Sequence, residues 1–181
     1  RRRISLKIQG QYLLNLYALF RAEGKGWCHS THRRTHMTRD EIFEFIKGHP
    51  ACYLATAEAN GQPHVRGMLM YRVDDNGIIF HTGDFKDLWK QVMDNPKMEI
   101  CFFDPKTNMQ VRITGTARSV EDQDLKEEIV KARPFLKPWV EKQGYEHLKV
   151  FNVMPSKATV WTFETNFEPK EYIDLQCQNI V

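Results

Sequence analysis

Residues 63–104 read PHVRGMLMYRVDDNGIIFHTGDFKDLWKQVMDNPKMEICFFD, and this stretch decides the fold class. HVRGMLMYRV (64–73) is rich in strand-forming residues. DDNG (74–77) carries the Asn-Gly hairpin signal, and IIFHT (78–82) is the returning strand. A Gly83-Asp84 turn then opens into a short helix that stops at Asp94-Asn95-Pro96. MEICFF (98–103) returns to strand. Asp84 is expected to be the helix N-cap. Lys86 falls in the first helical turn, where the macrodipole disfavours a cation. An anion sharing that end of the helix would account for the lysine.

Upstream, TRDE (38–41) is a capping box with Thr38 as N-cap and Glu41 at the third position. Ile42, Phe45 and Ile46 form one apolar face, and GHP (48–50) ends the helix. ACYLATA (51–57) reads as a strand and EANGQP (58–63) as a turn. Downstream, DPKTN (104–108) is a loop and MQVRITGTARSV (109–120) a long strand. EDQDLKEEIVKA (121–132) is a helix broken by RPFLKPW (133–139). A less regular segment leads to HLKVFNVMP (147–155), and KATVWTFE (157–164) is the last strand. Six strands joined mostly by short turns, without alternating βαβ order, predict a mainly β domain with peripheral helices, built as an antiparallel barrel. The expected organisation is a basic leader at 1–36, one barrel domain at 37–164 and a tail at 165–181.

Of the 181 residues, 41% are hydrophobic, enough for one domain with a real core. No apolar run approaches the roughly 20 residues of a membrane span, so no membrane association is expected. The net charge of +3 conceals an asymmetry: residues 1–39 carry +8 and residues 40–181 carry −5. A mildly acidic body argues against nucleic-acid binding. RRRISLK faintly resembles a twin-arginine export signal, but the following apolar stretch is short and holds Asn15. Upstream or non-native sequence before Met37 is the plainer reading. Cys28, His29, His32 and His36 lie close together without recognised zinc-finger spacing, and no metal site is expected. The four cysteines form no C-x-x-C. Cys52 and Cys101 sit in apolar strands as expected buried thiols, which fits a reducing, cytoplasmic setting.

No G-x-G-x-x-G, P-loop, H-E-x-x-H or G-x-S-x-G is present. What remains is a set of polar groups at strand ends: Arg66 on the second strand, His81 and Thr82 ending the third, Lys86 opening the helix, and Gln110 and Arg112 two apart on the fifth and so on one face. A strand-end hydroxyl, a helix N-terminus and a lysine together can hold a phosphate. Taken alone, each also has a plain reading, Lys86 as a solvated helix residue and His81 as a structural histidine.

The order of these elements, a hairpin followed by T-x-x-x-K, a short helix, Asn-Pro and then QVRITG, resembles the pyridoxamine 5′-phosphate oxidase-like FMN-binding split-barrel superfamily over roughly residues 38–164. The resemblance implies a six-stranded antiparallel Greek-key split barrel that forms a homodimer with FMN at the subunit interface. It implies that His64, Val65, Arg66, Gly67, Met68 and Leu69 line the flavin, that Thr82 and Lys86 hold its phosphate, and that Gln110 reaches the isoalloxazine ring. His81 and Arg112 adjoin these positions, His81 as a candidate proton donor. The family's oxidase closes on an arginine- and histidine-bearing motif that contacts the pyridoxal substrate; this chain closes on NFEPKEYIDLQCQNIV, with neither. The closer resemblance is to small flavin-binding, nitroimidazole-reductase-like members.

Two classes of function follow from the resemblance. One is an FMN-dependent oxidoreductase that reduces a small electrophilic or heteroaromatic substrate with electrons from a nicotinamide donor. The other is a flavin-binding module that stores or senses without turnover. Haem- or deazaflavin-binding relatives form a third option.

Overall fold

A computed structural model of the chain describes residues 37–176. The basic leader, its Cys-His cluster and Cys177 lie outside the described residues.

Helix α1 (Arg39–Gly48) starts at the expected capping box. Thr38 Oγ1 accepts from Glu41 N at 3.2 Å, and Glu41 Oε2 accepts from Thr38 N at 2.7 Å. Its apolar face buries Ile42, Phe43 and Ile46 in the main core. The strands are β1 (Ala51–Ala57), β2 (Pro63–Leu69), β3 (Arg72–Asp74), β4 (Gly77–Gly83), β5 (Lys97–Asp104), β6 (Met109–Val120), β7 (Leu148–Trp161) and the short β8 (Ile173–Asp174). They form one sheet in the order β2-β1-β5-β6-β7-β4-β3, with β8 added to β7, and the ladders among the described residues are all antiparallel. Helices α2 (Asp87–Asp94), α3 (Gln123–Ala132) and α4 (Lys137–Gln143) and two 3-10 turns, Pro134–Leu136 and Tyr145–His147, complete the described elements.

The expected second strand divides in two. Leu69 still pairs with Ala51 of β1, and Met70 N donates to Pro50 O at 2.8 Å. One residue later Tyr71 N donates to Ile79 O of β4, also at 2.8 Å. The chain thus crosses from one end of the sheet to the other within two residues. This corner, not a ladder, joins the two ends, and the sheet is not closed by hydrogen bonds. The split barrel expected from the sequence is therefore observed with an open edge on β2.

The other difference is at the C-terminal side. HLKVFNVMP and KATVWTFE form a single 14-residue strand, β7. The register shifts at Thr114/Gly115: Gly115 pairs with Pro155 and Thr114 with Lys157, leaving Ser156 as an extra residue. Pro155 has no N–H to give a ladder, and a bulge tolerates it. Ser156 Oγ donates to Thr114 O at 3.0 Å and Ser156 O accepts from Leu175 N at 3.0 Å, which fastens the tail.

The barrel interior is filled by Phe80, Phe102, Phe151, Leu54, Ile78, Ile100 and Ile113, all essentially fully buried. Each such side chain contributes roughly 1.5–3 kcal/mol of burial. Helix α3 packs Leu125 and Ile129 against Ile79 and Val150, on the other face of β4 and β7. The segment from α3 to β7 therefore lies outside the barrel, beside the end of β4. Cys52 is buried as expected, and burial pushes its thiol up to about 12; Cys101 is only half-buried.

Candidate functional site

A groove of about 610 Å³ runs along the open edge of β2. Ligand sites commonly fall in this size range. Its wall is β2 from His64 to Leu69, Val65 excepted. Its floor is the end of β4 with His81, Thr82 and Gly83, and its head is Phe85, Lys86, Asp87 and Leu88 at the start of α2. The insertion that follows α3 supplies Arg133, Phe135 and Leu136, and Trp139 from α4.

Lys86 is the N-cap of α2, with extended backbone, and no side chain caps this helix. The expectation for Asp84 is corrected: its carboxylate accepts from His147 Nδ1 at 2.9 Å and does not cap α2. Two features remain at the head of the groove. One is a helix start with uncapped amides, the other a lysine that makes no ion pair among the described residues. Its ammonium lies 6.0 Å from the Phe85 ring centre. Thr82 stands next to it, buried, its hydroxyl without a hydrogen bond among the described residues.

Arg66 reaches this head from β2. Its Nη1 donates to Thr56 Oγ1 at 2.8 Å and its Nη2 to Gln91 Oε1 at 2.6 Å. Burial lowers its pKa, while the Asp87 carboxylate opposes that shift. His64 Nε2 stands 3.0 Å from Glu58 Oε1 without the alignment of a hydrogen bond.

His81 faces the other way across β4, towards the insertion. Arg133 Nη1 is hydrogen-bonded to His81 Nε2. A guanidinium has no lone pair to offer, so His81 must accept there and carry its proton on Nδ1. Burial first, then the charges of Arg133 and Lys86, push the imidazole down to about 4. His81 thus meets the groove as a neutral group whose Nε2 is engaged, an arrangement that suits the structural histidine better than the candidate proton donor. Arg133 also donates to Leu69 O at 3.2 Å and Met70 O at 2.7 Å, which ties the insertion to the barrel corner.

Of the residues singled out from sequence, His64, Arg66, Gly67, Met68, Leu69, His81, Thr82 and Lys86 come together in the groove. Val65, Gln110 and Arg112 do not line it. They share the outer face of the sheet, as the register shows: Val65 lies opposite Ala55, while Gly67, Tyr53, Cys101 and Arg112 lie opposite one another in turn. Arg112 is 3.6 Å from Glu99 there, and Gln110 Oε1 is 4.0 Å from Cys101 Sγ. Sequence reasoning missed Arg133 and Gln91. Gln91 left a trace, a polar residue on the stripe of α2 that otherwise holds Leu88 and Val92. Arg133 left only a cation at a helix break before proline.

Chemically, the head of the groove offers two cations, a hydroxyl and free helix amides. That donor set fits a phosphate monoester. The β2 edge offers unpaired backbone groups, and Phe85, Phe135 and Trp139 offer apolar cover.

The family model described as pyridoxamine 5′-phosphate oxidase matches residues 38–166. A pyridoxine/pyridoxamine 5′-phosphate oxidase from Pseudomonas putida is 33% identical over 97 residues, 52% of this chain and 45% of its own. One from Agrobacterium fabrum is 31% identical over 86 residues, 48% of this chain and 42% of its own. The match spans less than half the length of these curated relatives. Among solved structures, a NimC/NimA family protein from Clostridium acetobutylicum has a TM-score of 0.60 at 24% identity, covering 78% of this chain and 96% of that one. HutZ, a haem storage protein from Vibrio cholerae, has a TM-score of 0.54 at 15% identity, covering 70% and 95%. At these identities the structural likeness concerns the fold alone.

Proposed function

This chain belongs to the pyridoxamine 5′-phosphate oxidase family, and on that premise we propose that it binds FMN along the β2 edge and serves as a flavin-dependent oxidoreductase for a small electrophilic or heteroaromatic substrate. One observation carries the reading. Arg66, Thr82 and Lys86 converge at an uncapped helix start, and Lys86 has no carboxylate partner among the described residues.

Bound there, FMN would supply the electron transfer itself, through its isoalloxazine ring. The chain's part is to bind, orient and exclude water. Lys86 and Arg66 offset the phosphate charge, and the Thr82 hydroxyl donates to it. Backbone groups of Gly67 and Met68 on the β2 edge would line the flavin. Neutral His81 and engaged Arg133 close the side of the groove next to the insertion. A nicotinamide electron donor fits this chemistry.

A homodimer completes the reading. The outer sheet face exposes Val65 (67%), Tyr53 (57%) and Leu69 (47%) beside Gln110 and Arg112. Apolar exposure of this kind marks an interface. Apposed to a second copy, that face would bring Val65, Gln110 and Arg112 to the partner's groove.

Haem is the second reading, since HutZ shares the fold. The engaged Nε2 of His81 weighs against that residue as an axial ligand. The absorption spectrum of the purified, cofactor-loaded protein tests the two readings. Flavin bands, bleached by NADH or NADPH and restored by an acceptor, are expected. A Soret band instead, or no FMN uptake, would overturn the proposal.

A further inference from the structure

Gln91 is one of few polar side chains that the fold buries, 5% exposed between Leu88 and Val92 on α2. A buried amide costs stability unless its hydrogen bonds are made. Its Oε1 accepts from Arg66 Nη2 at 2.6 Å and from Thr56 Oγ1 at 2.8 Å, which fills both lone pairs. Thr56, itself 4% exposed, accepts from Arg66 Nη1 at 2.8 Å. The three side chains close a triangle in which the direction of every hydrogen is fixed. Gln91 Nε2 lies 3.5 Å from Glu58 Oε1, so the amide turns its oxygen, not its nitrogen, to Arg66.

A guanidinium is planar, so fixing both Nη atoms fixes its plane. The N–H groups not held by Thr56 and Gln91 remain for the groove. We propose that Gln91 and Thr56 are positioning residues that hold Arg66 as a pre-aimed fork beside Lys86, so that this buried pair sets the preference for a phosphorylated over an unphosphorylated flavin. The proposal rests on the FMN reading. A neutral amide suits the task, because it fixes Arg66 without cancelling its charge. Glutamate at the same place would make both contacts and offset the cation. Pre-organisation of this kind strengthens binding by removing the ordering cost from the binding step.

The test uses Gln91→Leu, Gln91→Glu and Thr56→Val, with Thr56→Ser as the conservative control. Two readouts are taken. The first is the Kd of FMN and of riboflavin. The second is guanidinium rotation of Arg66 in the flavin-free protein, from NMR of arginine-labelled chain with the signal assigned by Arg66→Lys.

In the parent and in Thr56→Ser the Arg66 guanidinium should rotate slowly, and in Gln91→Leu and Thr56→Val quickly. Those two variants should weaken FMN by about tenfold, the scale of one charge-assisted hydrogen bond, with riboflavin changed less than about twofold. Gln91→Glu should keep the slow rotation yet also weaken FMN, which separates aim from charge. Should Gln91→Leu misfold, Thr56→Val, which keeps the side-chain volume, carries the test. Equal losses for both flavins, or an unchanged FMN Kd in folded variants, would overturn the proposal. So would a freely rotating Arg66 in the parent. A parent that binds neither flavin refutes the FMN reading, while the rotation measurement still decides whether Gln91 and Thr56 hold Arg66.

Discussion

Lys86 carries a full positive charge at a helix start that already bears partial positive charge, and no carboxylate among the described residues answers it. If that charge serves a phosphate, Lys86→Ala should weaken FMN by about tenfold to a hundredfold and leave riboflavin nearly unchanged. Equal affinity of parent and mutant for FMN, by fluorescence titration, would return Lys86 to the role of a solvated helix residue. His81 gives a pH signature. Its ordinary value is 6.5 and its folded value is about 4, so between them the unfolded chain binds a proton that the folded chain refuses. Stability is therefore fully present above pH 6.5, falls as the pH drops towards 4, and levels below it, with a total of up to about 3 kcal/mol. Urea denaturation at pH 7 and pH 4.5 should show this loss in the parent and a smaller one in His81→Gln. Lys86, Thr82 and Arg66 were legible because their chemistry and their places at strand and helix ends show in the sequence. Arg133 was not, because its partners Leu69, Met70 and His81 lie 52 to 64 residues away and two of the contacts are to backbone carbonyls.

At the scale of elements, local signals served well where local chemistry decides. The capping box at Thr38 and the hairpin at Asp75-Asn76 stand where the sequence puts them. Gly77 shows why the hairpin needs glycine: its φ is +131°, and a Cβ there would meet the Asn152 side chain and the Val153 carbonyl oxygen, the latter at 2.6 Å. Gly77→Ala should cost about 2–3 kcal/mol, read as a lower denaturation midpoint at unchanged slope. A midpoint within error of the parent's would show that the hairpin adapts. The break at Met70–Tyr71 was not legible, since MLMYRV is an unbroken run of strand formers. What divides it is a change of partner between Pro50 and Ile79, a tertiary fact. Likewise the union of residues 148–161 into one strand depends on a bulge at Ser156 that Pro155 hides by looking like a strand terminator.

For the whole molecule, the homodimer proposed from the outer sheet face with Tyr53, Val65 and Leu69 can be tested directly. Sedimentation at micromolar concentration should give twice the chain mass, and Tyr53→Glu should lower it towards one chain. A monomer that holds FMN as tightly would refute the two-copy groove. The barrel itself was legible in outline, but Gln110 and Arg112 lie three strands from β2 in the sheet order, a distance that a linear pattern cannot express. The open edge of β2 has a further consequence. An unpaired strand with exposed Val65 and Leu69 is a template on which another chain can grow a ladder. The insertion blunts it, through the Arg133 contacts to Leu69 O and Met70 O, and a flavin bound in the groove would blunt it further. On the FMN proposal, ligand occupancy and resistance to aggregation would thereby be coupled. Arg133→Ala stripped of cofactor should form thioflavin-positive aggregates sooner than the parent on mild heating, and added FMN should delay them in both.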